Sequence, residues 1–178
     1  MLTEFVRIGA GLAKRSTLLA LAIGLSACAG YDVSLNDRLI YTPKELFTDF
    51  ALSDNALNNC ISQTLEYQKA TSAAQLTTLN CSGAGITNLA GLSTFSSITH
   101  LKLSVNKVNS IDVLASLTKL QVLHLDENQL TDISVLSALP ELETLSLKKN
   151  PAIECGAVDS LKAIRPRLQI SFPGHCTR

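Results

Sequence analysis

Between Leu76 and about Ile153 the chain repeats itself every 22 residues. Ile98–Lys119 reads ITHLKLSVNKVNSIDVLASLTK and Leu120–Glu141 reads LQVLHLDENQLTDISVLSALPE. Apolar residues coincide slot by slot: Ile98 with Leu120, Leu101 with Leu123, Leu103 with Leu125, Val108 with Leu130. Ile111 with Ile133, Leu114 with Leu136 and Leu117 with Leu139 continue the match, and Asn106 falls on Asn128. One period earlier stand Leu76, Leu79, Cys81, Ile86, Leu89, Leu92 and Phe95, with Ala84 in the Asn slot. One period later come Leu142, Leu145, Leu147 and Asn150, after which the pattern decays through Ala152, Cys155, Val158 and Leu161. Chance does not hold that many slots in phase, so this is a repeat array.

One unit explains its own spacing. Leu-x-x-Leu-x-Leu alternates apolar and polar residues, as a short strand with one buried face does. The following Asn stands where the chain turns inward, and its amide can satisfy backbone groups that a buried turn leaves unpaired. The later apolar slots, spaced by about three, suit a 3₁₀ or irregular arc. No single unit encloses its own apolar face; stacking makes one continuous core with a concave parallel sheet. The pattern resembles the 22-residue leucine-rich repeats of bacterial, internalin-like proteins, over roughly 75 to 80 residues. The fold class expected is α/β, a short solenoid of about four repeats with a helical N-terminal cap and a C-terminal cap.

Residues 1–27 read as a leader. Lys14 and Arg15 precede Ser16–Ala27, an apolar run too short to span a bilayer and suited to a signal-peptide core. It ends in Leu25-Ser26-Ala27-Cys28, which resembles a bacterial lipobox. That resemblance implies diacylglyceryl attachment to Cys28, and Ala29 after it implies the outer membrane. The alternative is an ordinary secretory signal with an incidental Cys. Without residues 1–27 the chain keeps 14 acidic and 12 basic side chains, a net of −2. That balance argues against a polybasic membrane patch and leaves attachment to the lipids. Nor is the chain, neutral overall, basic enough for nucleic acid.

Residues 28–43 read as a tether in which Leu35, Leu39, Ile40 and Tyr41 pack locally, and residues 44–75 as the N-terminal cap. Within the cap, one short helix is expected from Pro43-Lys44-Glu45 through Phe50. A second, capped by Ser53-Asp54, carries Leu57, Cys60, Ile61 and Leu65 on one face. It should cover the open end of the first repeat, which would otherwise expose core. The repeats occupy 76–154. Residues 155–178 read as the C-terminal cap. The spacing predicts a helix over Glu154–Arg165 with Val158, Leu161 and Ile164 inward, stopped at Pro166. Leu168, Ile170 and Phe172 then alternate like one more strand.

Four cysteines follow Cys28, in a chain expected to meet an oxidising compartment. Of three connectivities, position favours Cys60–Cys81 and Cys155–Cys176, each stapling a cap to its end. Loops of this size predict on the order of 3 kcal/mol each. A four-thiol metal site lacks any CxxC pair.

Function should lie on the outward strand residues: Thr78, Asn80 and Ser82; His100, Lys102 and Ser104; Val122, His124 and Asp126; Thr144, Ser146 and Lys148. Stacking places residues 22 apart side by side, about 4.8 Å between backbones, so Asp126 neighbours Lys148 and Glu127 neighbours Lys149. His100, His124 and Asp126 invite a zinc reading, but they lie open on a shallow face with Lys102 nearby to repel a cation. No nucleophile motif occurs, and Ser82-Gly83-Ala84-Gly85 lacks the lysine and helix start of a phosphate cradle. The expectation is a monomer without catalysis, cofactor or metal. It binds an unidentified protein at the cell envelope, with His100, Lys102, His124, Asp126 and Lys148 as contact points. The alternatives are a structural envelope component, or an inhibitor or immunity protein against a periplasmic protein.

Overall fold

The computed structural model describes residues 33–35, 38–41 and 45–176. The leader, Cys28 and the rest of the tether lie outside them. The chain divides into two units, Met1–Pro43 and Lys44–Arg178. In the first, β1 (Val33–Leu35) and β2 (Arg38–Tyr41) pair antiparallel, with a register shift between Val33 and Ser34. A ladder therefore occupies part of the stretch read as a tether.

The second unit is the solenoid. Its parallel sheet runs in chain order through β3 (Thr78–Asn80), β4 (His100–Lys102), β5 (Val122–His124), β6 (Thr144–Ser146) and β7 (Gln169–Ser171). Thr78 pairs with His100, His100 with Val122 and Val122 with Thr144, each 22 residues on. Thr144 pairs with Gln169, 25 residues on. Ladder bonds continue past each strand, as from Leu103 N–H to His124 C=O and from Val105 N–H to Asp126 C=O. The central residue of β3 to β6, Leu79, Leu101, Leu123 and Leu145, is fully buried.

The return arcs are 3₁₀ turns at Leu92–Phe95, Asp112–Ser116 and Ser134–Ala138. Their hydrogen bonds span three residues, as from Leu114 N–H to Ile111 C=O and Leu117 N–H to Leu114 C=O. This tighter winding returns an apolar side chain inward every three residues, so Ile111, Leu114 and Leu117 all reach the core. The fourth arc becomes an α-helix, α2 (Cys155–Ile164). Val158 and Leu161 hold the buried columns of Leu136 and Leu139, so the repeat persists where its leucines fade. The three extra residues of this last rung accompany the change from a 3₁₀ turn to a helix.

Asparagine closes each inward turn. Asn128 Nδ2 donates to the carbonyls of Leu103, Leu125 and Asp126 at 2.9, 3.1 and 3.2 Å, and its Oδ1 accepts from Val108 N–H at 3.0 Å. Asn106 and Asn150 repeat the set one rung before and after. The three amides are buried, and each stitches two adjacent rungs. The residue before the Asn slot is left-handed in every copy: Gly83, Val105, Glu127 and Lys149, with φ between 55° and 71°.

The N-terminal cap is α1 (Asn55–Gln68), burying Leu57, Ile61 and Leu65. Asp54 both starts and fastens it. Its Oδ1 accepts from Ala56 N–H and Leu57 N–H, while Oδ2 accepts from Thr87 N–H, Thr87 Oγ and Asn88 N–H in the first repeat. Partial burial pushes this carboxyl up, but the donors from Thr87, Leu57 and Asn88 outweigh it and hold it at about 2. The helix expected through Phe50 does not form, and 45–50 is irregular. So short a segment lies below the length at which a helix sustains itself. Instead Phe47 N–H bonds Ala70 C=O, and the rings of Phe47 and Phe50 meet Phe95 edge-on at 6.2 and 5.3 Å. Chain and arc meet tightly here: a Cβ on Gly91, at φ 91°, would stand 2.5 Å from Ala51 O.

At the far end Ile164, expected inward, is 62% exposed. It ends α2, and Arg165 reaches back in its stead. The guanidinium donates to the carbonyl of Leu139, and to those of Pro140 and Leu142 at 3.0 Å each, satisfying acceptors left by the last 3₁₀ turn. The disulfides bond Cys60 to Cys81 and Cys155 to Cys176, with Cα separations of 5.8 and 5.2 Å. Each ties a helical element to a chain end of the stack.

Candidate functional site

Parallel register makes rows on the concave face. One row runs Thr78, His100, Val122, Thr144 and Gln169; the next runs Asn80, Lys102, His124, Ser146 and Ser171. Lys102 and His124 stand side by side, and His100 lies diagonal to His124. His100 Nδ1 pairs with Thr99 Oγ at 2.9 Å. His100, Lys102 and Lys148 are exposed, while His124 and Asp126 are half-buried.

Asp126 organises the middle of the face. Its Oδ1 accepts from the Ser146 hydroxyl and from Lys148 N–H at 2.9 Å; its Oδ2 accepts from the Ser104 hydroxyl at 3.2 Å. The expected neighbourhood of Asp126 and Lys148 is thus made through backbone, with the ammonium left over. Ser146, expected outward, is only 6% exposed because it turns onto this carboxylate. His124 Nδ1 stands 3.9 Å from Asp126 Oδ2, beyond hydrogen-bond length. Glu127 and Lys149 do pair, Nζ to Oε1 at 2.8 Å.

Charge therefore divides unevenly. Among the described residues, the ion pairs are Lys149–Glu127 and, when His124 is protonated, His124–Asp126. Lys102 and Lys148 have no acid within 4.0 Å among the described residues. The carboxylate of Asp126 accepts from three neutral donors of its own chain and keeps its charge, so the face carries one carboxylate turned onto hydroxyls and backbone beside two ammonium groups that it does not pair. His100, His124 and Asp126 do not form a metal cluster. Among the described residues, the set whose ligand atoms all come within 4.8 Å of one another is Cys155, His175 and Cys176, at the other end of the sheet. Sequence reasoning read Asp54 as a helix cap but missed its second arm, and it missed the roles of Arg165 and His175; these partners lie 20 or more residues away.

These features define a leucine-rich-repeat solenoid. Residues 118–162 match the family described as leucine rich repeats (2 copies). Internalin C2 of Listeria monocytogenes superposes with a TM-score of 0.57 at 22% identity, covering 67% of this chain and 54% of its own. A leucine-rich-repeat protein of Leptospira interrogans gives a TM-score of 0.50 at 31% identity, covering 54% of this chain and 25% of its own. The chain thus spans about half the length of the first and a quarter of the second. No curated protein matches the sequence.

Proposed function

We propose that this chain is a lipid-anchored module of the bacterial cell envelope that recognises a protein through its concave face. The observation that carries this reading is a pair of exposed ammonium groups, Lys102 and Lys148, that flank His124 and have no ion-pair partner among the described residues. A partner segment bearing carboxylates complements that pattern. Leucine-rich-repeat folds commonly serve as protein-binding scaffolds, and outward residues of such a sheet are free to vary without touching the core.

Size limits the strength of the contact. Five strands at about 4.8 Å and five residues of strand give a patch of roughly 19 by 17 Å. This is well under the ~800 Å² per partner of a standard interface. The contact is weak unless rims and caps join it, and attachment at the membrane makes a weak contact useful by raising local concentration. Lys14-Arg15, the apolar run to Ala27 and the Leu25–Cys28 tetrad support that attachment.

The test is photo-crosslinking in the intact envelope. A photoreactive residue replacing Lys102 should trap one defined protein; the same residue replacing Ala115, exposed on a convex arc, should not. Cys28→Ser, which removes the lipid site, should reduce the yield. Equal trapping from both faces contradicts recognition by the concave side.

A further inference from the structure

In the C-terminal cap, three metal-ligating side chains converge. Ligand atoms of Cys155, His175 and Cys176 all lie within 4.8 Å of one another. Tetrahedral zinc, with bonds of about 2.3 Å to sulfur and 2.0–2.1 Å to nitrogen, sets its ligand atoms roughly 3.5–3.8 Å apart. That lies inside this span. The disulfide Cys60–Cys81 at the opposite end has no such third group among the described residues.

The imidazole is held by the backbone. His175 Nε2 lies 2.9 Å from the carbonyl oxygen of Ile153. A carbonyl only accepts, so Nε2 is the donor here, and in the neutral imidazole Nδ1 keeps the lone pair. Metal-binding imidazoles are commonly fixed in this way, one nitrogen on a backbone carbonyl and the other on the metal. Cys155 opens α2, where the N-terminal end of the helix favours an anionic thiolate.

We propose that Cys155, His175 and Cys176 are a redox-gated zinc site. In the oxidised protein the bond between the sulfurs staples the tail. A dithiol reductant attacks one sulfur and is itself closed to a disulfide, leaving Cys155 and Cys176 as thiols. Zn²⁺ then displaces the two thiol protons and binds both sulfurs and His175, with water in the fourth position. The cap is fastened in either redox state, by a covalent bond or by a metal. This inference does not depend on the concave face or its partner.

Cobalt(II) reads the site directly. The purified mature chain, reduced with excess phosphine, should bind one equivalent of Co²⁺. Binding should bring thiolate-to-metal charge-transfer absorption and the intense visible bands of tetrahedral cobalt, and Zn²⁺ should abolish both. The oxidised chain should show neither. His175→Ala should weaken cobalt binding by at least about tenfold, whereas binding by Cys60 and Cys81 would be indifferent to His175. Far-UV circular dichroism controls for folding: if reduction loosens the chain, Zn²⁺ should restore the native spectrum. Absence of the tetrahedral bands in the reduced chain, an unchanged affinity in His175→Ala, or an unfolded reduced chain that zinc does not restore would each overturn the proposal.

Discussion

At the scale of single residues the fold rests on buried amides and on one left-handed position per turn. Asn128 makes three donations and one acceptance in an environment closed to water. Truncation strands a backbone N–H and carbonyls from two rungs, each costing about 1–3 kcal/mol when left unpaired. Asn128→Ala should therefore lower the unfolding free energy by about 3 kcal/mol or more in urea denaturation. Substitution at the exposed Gln129 should have little effect. Val105 works in the opposite direction. It is β-branched, 54% exposed and held at φ 61°, where its equivalent in the first copy is Gly83. Such a residue carries steric strain that glycine does not. Val105→Gly should stabilise by about 1 kcal/mol, measured by the same denaturation. A loss of stability there would mean that the Val105 side chain contributes packing not evident from its exposure.

At the scale of elements, what was legible in the sequence was whatever the 22-residue period controls. The columns at Leu79 to Leu145 and Ile86 to Leu130 were readable because a buried slot in a stacked array admits few residue types. The start of α1 was readable because an N-cap is a local matter of Asp54 and the two N–H groups after it. The second arm of Asp54, onto Thr87 and Asn88, was not, since no local pattern marks a partner 33 residues away. The same holds for Arg165 on Leu139 to Leu142. Residues 45–50 misled for a related reason. Their propensity is too weak to decide, and the aromatic contact with Phe95 decides instead. Asp54 gives a pH test of how α1 is fastened. Its folded pKa, about 2, lies below the ordinary aspartate value of 3.8. Its contribution is therefore present above pH 3.8 and is lost as pH falls through about 2. Asp54→Ala should cost about 1 kcal/mol or more at pH 7, and the gap from the parent protein should shrink steadily below pH 4. A gap that is constant down to pH 2 would show that the charge of Asp54 does not fasten the cap.

For the molecule as a whole, the period that builds the core also builds the rows that face outward. Register carries Lys102 beside His124 and Asp126 beside residue 148. What the sequence could not reveal was how those neighbours use each other. Asp126 takes the backbone N–H of Lys148 and two serine hydroxyls rather than the ammonium. The carboxylate stays charged, but its geometry leaves the Lys148 ammonium, like that of Lys102, without an ion-pair partner among the described residues.

The most direct measurement is calorimetric titration of the crosslinked partner, once identified, against the parent chain and the Lys102→Glu, Lys148→Glu double variant. Reversal of both charges should weaken binding by at least about tenfold, and added salt should weaken the parent complex while relieving the repulsion in the variant. An affinity unaltered by the two reversals, in a variant whose circular dichroism is native, would contradict recognition by the concave face.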